Sequence, residues 1–94
     1  MKAELLLRER RRLRADAFAD ARIWRVPEPV RGSGHPFKYS IAFVVQGRCI
    51  LRYDNEAGKG DHKHMGTLEL PYRFVSPERL LADFWRDVAV LEAS

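Results

Sequence analysis

The feature that most constrains the fold is the alternation between Lys38 and Asp54. Tyr39, Ile41, Phe43 and Val45 alternate with Lys38, Ser40, Ala42 and Val44, and after Gln46-Gly47 a second run extends from Arg48 to Asp54. Strand side chains point to opposite faces with period two, so the pattern predicts a β-hairpin with one buried face. A two-residue loop would set Phe43 against Ile50 and Ile41 against Arg52. A three-residue loop, Val45-Gln46-Gly47, puts Gly47 at the left-handed position and sets Phe43 against Cys49, Ile41 against Leu51 and Tyr39 against Tyr53. That register, or a bulge with the same effect, is expected because it gathers all six apolar side chains on one face. Ser40 then opposes Arg52, and Lys38 opposes Asp54.

Before the hairpin, Lys2 to Arg22 is rich in Ala, Leu, Glu and Arg, which favours helix by local propensity. Its periodicity does not: Leu5, Leu6 and Leu7 are consecutive, and Arg10 to Arg12 fall where a helix needs its next apolar contact. A second hairpin is preferred, with strands Ala3–Leu13 and Ala17–Val26 around a turn at Arg14–Asp16; Ile23-Trp24-Arg25-Val26 is strand-like by composition. Pro27 to Pro36, PEPVRGSGHP, reads as a loop.

Pro71 to Val75 reads as a short strand or extended segment. Ser76-Pro77-Glu78 then opens a helix, with serine suited to the cap, proline to the first helical position and an acid to the first turn. Leu81, Phe84, Val88 and Leu91 recur at helical spacing, flanked by Leu80 and Trp85, and are expected to pack on the sheet. The fold class is therefore α+β: a small antiparallel sheet of about four to five strands with a C-terminal helix on one face. At 94 residues, one domain spanning 1–94 is expected.

Lys and Arg outnumber Asp and Glu by 17 to 13. Most of these cations are arginines, whose planar fork suits phosphate, so a nucleic acid or phosphorylated ligand is one reading. A basic surface kept for solubility explains the charge equally well. Cys49 is the single cysteine, which excludes an internal disulfide; inside an apolar run it is expected to be a buried, inert thiol. No apolar stretch is long enough for a membrane span. Leu5 to Leu7 followed by RERRRLR does not read as a signal peptide, so a cytoplasmic protein is expected.

The stretch Arg52 to His64, RYDNEAGKGDHKH, interleaves acids (Asp54, Glu56, Asp61), bases (Arg52, Lys59, Lys63) and imidazoles (His62, His64) around Gly58 and Gly60. A loop that only turns has no need of this set. If Asp61 to His64 is extended, His62 and His64 project from one face. The pair could grip a metal ion, with Asp61, Asp54 or Glu56 as third ligand, or set two proton-transfer groups beside a phosphate. Lys59, Arg52 or Lys63 would stabilise charge developing on that phosphate. A solvated loop whose histidines and acids bind one another is the bland alternative. His35 reads as a loop residue that could fold back to the site.

These residues carry a resemblance. Phe37-Lys38-Tyr39, Arg52-Tyr53-Asp54-Asn55-Glu56 and Lys59-Gly60-Asp61-His62-Lys63-His64 look like the TumE-type toxins of bacterial toxin–antitoxin pairs. Ile23-Trp24-Arg25-Val26-Pro27, Pro71-Tyr72-Arg73-Phe74 and Leu81-Ala82-Asp83-Phe84 are similar as well, so the resemblance spans nearly the whole chain. Two departures stand out: the first strand is less β-branched than is usual, and Leu70 follows Glu69 where a second acid is expected. The resemblance implies a toxin neutralised by a helix-turn-helix antitoxin, with a ribonuclease-like attack on RNA and translation as the natural activity. Carried over, the polar motif falls on Asp54, Asn55, Glu56, Lys59, Asp61, His62 and His64.

The expected catalytic group is His62 as general base, His64 as acid or orienter, and Lys59, Asp61 and Glu56 beside them. Arg52, Asp54, Asn55, Lys38 and Lys63 are the expected substrate contacts. No cofactor is expected, a divalent metal being the open alternative. RNA and the antitoxin are the expected partners, without a membrane; a homodimer is left open. A non-catalytic module that binds phosphate, RNA or protein is the competing function.

Overall fold

The computed structural model describes residues 2–56 and 58–93, so Ala57 of the 52–64 stretch, like Met1 and Ser94, lies outside the described residues. Among those described, six strands are followed by one helix: β1 (Glu4–Arg14), β2 (Ala17–Arg25), β3 (Phe37–Val45), β4 (Arg48–Asp54), β5 (His62–Met65), β6 (Leu68–Pro71) and α1 (Pro77–Ala93). The strands form one antiparallel sheet in sequence order, β1-β2-β3-β4-β5-β6. The α+β class holds, with six strands rather than four or five. The extra pairing comes from β5 and β6, short strands that carry little apolar signal of their own. The Pro71–Val75 segment contributes to the sheet only through Pro71.

The N-terminal segment is the preferred hairpin, and tertiary pairing overrides its helical propensity. Along β2, Ala17, Ala19, Ala21 and Ile23 are buried on one face, and these small side chains let the helix approach. Strand β1 is an edge carrying arginines, with irregularities between Leu5 and Leu7 and between Arg12 and Arg14. Charged side chains on an edge strand discourage pairing with other chains.

The central hairpin differs from expectation in register. Gln46 and Gly47 form a two-residue turn with both φ angles positive, 52° and 77°, and Val45 opposes Arg48. Positive φ at both turn positions matches the twist of the flanking strands. The parity conflict of that short loop is resolved by a bulge, the alternative device: Val44 opposes Cys49, whereas Phe43 opposes Leu51. Ile41 therefore opposes Tyr53, Ala42 opposes Arg52 and Ser40 opposes Asp54. Tyr39, Ile41, Phe43, Leu51 and Tyr53 share the buried face as intended.

Cys49 falls on the other side of the bulge and is exposed, correcting the expectation of a buried thiol. It should react with a thiol reagent in the native protein at close to the rate of the unfolded chain; protection until denaturant is added would contradict the bulged register.

The helix begins as its sequence signals. Ser76 Oγ accepts a hydrogen bond from the Arg79 N–H at 3.0 Å, satisfying one of the helix's free donors. Leu80, Phe84 and Val88 are its buried apolar side chains, while Leu81, Trp85 and Leu91 pack at the margin. The stripe is thus centred on Leu80 rather than Leu81: Leu80, Phe84 and Val88 join the buried cluster that holds the alanines of β2 and Tyr39, Phe43 and Tyr53 of β3 and β4, with Phe84 edge-on to Tyr53. Burying Phe84 alone contributes about 1.5–3 kcal/mol. No described helix is long and apolar enough to cross a membrane.

One face of the sheet is covered by α1, and the other is left open. Cross-strand partners share a face, so the registers place Arg8, Arg10, Arg22, Lys38 and Arg52 on the open side together with Phe18, Trp24, Asp54, His62 and His64.

Candidate functional site: the open sheet face and its histidine cluster

The 52–64 stretch is divided by the sheet. On β4 and β5, Asp54 opposes His62 and Arg52 opposes His64, all four on the open face. Tyr53 and Lys63 alternate to the helix side. There the Lys63 ammonium lies 2.9 Å from the Asp87 carboxylate, and the Tyr53 hydroxyl donates to the same group. Burial, reinforced by Asp87, pushes the Tyr53 phenol above its ordinary range. Lys63 therefore ties β5 to the helix and stands apart from the histidines.

Asp61 and Asn55 are committed to the scaffold. The Asp61 carboxylate accepts hydrogen bonds from Ser33 Oγ at 2.7 Å, His35 Nε2 at 2.7 Å and the Tyr39 hydroxyl at 2.6 Å. His35 Nδ1 accepts from the Phe37 N–H, so Nε2 carries the proton given to Asp61. Burial pushes the Asp61 carboxyl up, but hydrogen bonds from Tyr39, His35 and Ser33 outweigh it and hold the group below the usual carboxylate range. Asn55, 1% exposed, accepts from the Tyr39 N–H at 3.0 Å and donates to the Phe37 carbonyl at 2.7 Å and Ser33 Oγ at 3.3 Å. Its side chain thus continues the β3–β4 ladder after β4 has ended.

These bonds lock the 27–36 loop onto the turn before β5. The backbones meet at Gly32, φ 96°, where a Cβ would lie 2.8 Å from the Gly60 nitrogen. His35 does fold back, stacking on Phe74 with ring centroids 3.8 Å apart, but it reaches Asp61 rather than the other histidines. Lys59 and Glu56 are exposed on the turn and pair with each other at 3.8 Å.

The cluster itself consists of Asp54, His62 and His64, whose ligand atoms all lie within 4.8 Å of one another. The His62 side chain is 5% exposed and that of His64 36%. His62 Nδ1 lies 2.9 Å from the Gly60 carbonyl. A carbonyl only accepts, so Nδ1 is the protonated nitrogen and Nε2 is turned to Asp54. His64 packs edge-on against His62 with centroids 4.9 Å apart, and its Nδ1 lies 4.0 Å from the Glu69 carboxylate on β6. Of the two imidazoles, His64 is the one a bulky ligand can reach.

A cationic band leads to this cluster. Arg10 and Arg22 share the Asp20 carboxylate at 3.2 and 3.7 Å, leaving excess positive charge. Arg8, Lys38 and Arg52 form no ion pair within 4 Å among the described residues. Arg52 borders three shallow hollows of the open face, shared with Arg10 and Arg22, with Lys38 and Asp54, and with Cys49 and His64. The Arg10 guanidinium lies 4.4 Å from the Phe18 ring centroid, and the Lys38 ammonium 5.8 Å from that of Trp24. The contributions of Arg8, Arg10 and Arg22 were missed from the sequence. Their alternation along β1 and β2 was the available signal, readable only once the hairpin and its register are set.

A single sheet, helix-backed on one side and bearing cations, aromatics and a histidine–carboxylate cluster on the other, is the class of protein these features define. Residues 2–91 match the family model described as Toxin TumE, and the chain belongs to that family. Membership implies an antitoxin partner in general. No curated protein and no solved structure matches it.

Proposed function

We propose that this toxin acts on RNA, binding it across the open sheet face and cleaving it at Asp54, His62 and His64. The observation that carries this reading is the register pairing Arg52 with His64, which puts a guanidinium beside the more accessible imidazole. Cleavage of RNA by its own 2′-hydroxyl needs a group to take that proton, a donor to the leaving oxygen and a cation on the phosphate. The cluster and Arg52 supply these types together. Phe18 and Trp24 offer stacking surfaces for unpaired bases, and the cations around them follow the phosphate backbone.

In this reading His64 meets the substrate, with Asp54 and His62 behind it and the Gly60 carbonyl holding the His62 ring. Asn55 and Asp61 act by positioning, and Lys63 by anchoring β5. Lys38 extends the phosphate track, while Lys59 and Glu56 border it. The neutralising partner is a helix-turn-helix antitoxin.

The test is incubation of purified protein with single-stranded RNA, followed by separation of the products. Wild type is expected to cleave. Binding without cleavage would favour a non-catalytic RNA-binding module, and absence of both would remove RNA as the target. Arg52→Ala should lower the slope of log affinity against log salt by about 0.7, the share of one phosphate contact on a single strand. An unchanged slope would take Arg52 off the RNA path.

A further inference from the structure

We propose that Asp54, His62 and His64 form a binding site for one divalent transition-metal ion, with zinc the best match to the donors. The inference rests on the placement of lone pairs. His62 gives its Nδ1 proton to the Gly60 carbonyl at 2.9 Å, so a neutral His62 presents a bare Nε2. That nitrogen lies 2.7 Å from Asp54 Oδ1. The geometry is not that of a hydrogen bond, and Asp54 Oδ1 is a buried oxygen without a hydrogen-bond partner among the described residues. Two electron-rich atoms this close, both withdrawn from water, repel unless a positive charge stands between or beside them.

A metal ion supplies that charge, and the surroundings are those of a ligand site. A backbone carbonyl holding the far nitrogen of a histidine fixes the tautomer and aims the other nitrogen at the metal. His64 brings a second imidazole, and the three ligand atoms lie within 4.8 Å of one another. Small rotations of the side chains would bring them around one ion. Two imidazoles and a carboxylate are a borderline donor set that favours zinc and its neighbours over calcium or magnesium. Three protein ligands leave a coordination position vacant, the pattern of catalytic rather than structural zinc. Because His64 is the exposed member, that position faces the open side. Glu69, 4.0 Å from His64 Nδ1, stands where it can orient that ring from behind.

The alternative is an imidazolium at His62 sharing its charge with Asp54, with no metal affinity. Calorimetry of chelator-stripped protein titrated with zinc, and absorbance with cobalt(II) as a coloured substitute, separates the two. One equivalent should bind, and the melting temperature should rise by roughly 10 °C or more at a hundredfold excess of zinc over Kd. His64→Ala, at a half-exposed position, should weaken binding at least tenfold without unfolding the chain. Asp54→Asn tests the carboxylate in the same way. No binding by wild type, or undiminished binding by both variants, overturns the metal site.

The inference deepens the proposed ribonuclease centre, but its test does not depend on cleavage. Metal bound by a protein that leaves RNA intact would retain the site and remove the ribonuclease. RNA cleaved at full rate by a stripped protein that binds no metal would do the reverse.

Discussion

Replacing Asp61 with alanine is expected to lower the unfolding free energy by about 3–5 kcal/mol, the range for removing one member of a buried charged network. The reason is the number of groups left behind. Ser33, His35 and the Tyr39 hydroxyl all donate to this carboxylate, and each would lose its acceptor in a water-poor position. Small domains have only about 5–15 kcal/mol in total, so the variant should sit near the edge of folding. Urea denaturation monitored by Trp fluorescence measures it. A loss under about 1 kcal/mol, the value of an exposed pair, would mean that the network contributes little.

The pH dependence has a definite sign. The folded Asp61 carboxyl titrates below its ordinary value, so its contribution is fully present above an unfolded pKa of about 3.9. It is lost as pH falls through the lower folded value. The stability gap between wild type and Asp61→Asn, whose amide cannot titrate, should therefore be level near neutrality and narrow below about pH 4. A gap that widens on acidification would contradict the direction of the shift.

Under the proposed ribonuclease function, His64→Ala is expected to reduce RNA cleavage by about 10²–10⁴-fold, the range for a lost acid–base group. Growth arrest caused by the toxin without its antitoxin should fall in parallel. His64 is the accessible imidazole of the cluster, so its loss should leave folding intact, as circular dichroism would verify. His62→Ala should also impair cleavage, but with a stability cost, because its ring is nearly enclosed and its Nδ1 bond to Gly60 shapes the turn. Full toxicity of both alanine variants would place the chemistry elsewhere. Retained RNA binding with cleavage lost would separate the histidines from the arginine track.

Much of this was legible from local pattern. The two long hairpins follow from period-two alternation and from composition, because a strand's faces are set by its own geometry. The capped helix follows from Ser76-Pro77-Glu78 and the apolar spacing behind it. Tyr53 inward with Arg52 and Asp54 outward survived a change of register, since the bulge preserved parity while moving every partner. What could not be read was where the compensating residue would go. A tight turn at Gln46-Gly47 and a bulge at Ile50 satisfy the same alternation as a longer loop, and they differ by exposing Cys49.

The sequence by itself determined that this chain makes an antiparallel sheet with one buried face, a C-terminal helix to cover it, and a dense polar segment from Arg52 to His64. Those properties reside in neighbours along the chain. Only the tertiary structure decided how that segment divides. Asp61 met Ser33 and His35 because a loop nearly thirty residues away folds onto the turn before β5, and it met Tyr39 from β3. Asp54 met His62 because β5 pairs with β4, and Lys63 was drawn to the helix by the same pairing. Sequence spacing orders side chains along one strand, but which carboxylate faces which histidine depends on contacts between strands, and these are settled by packing the whole sheet.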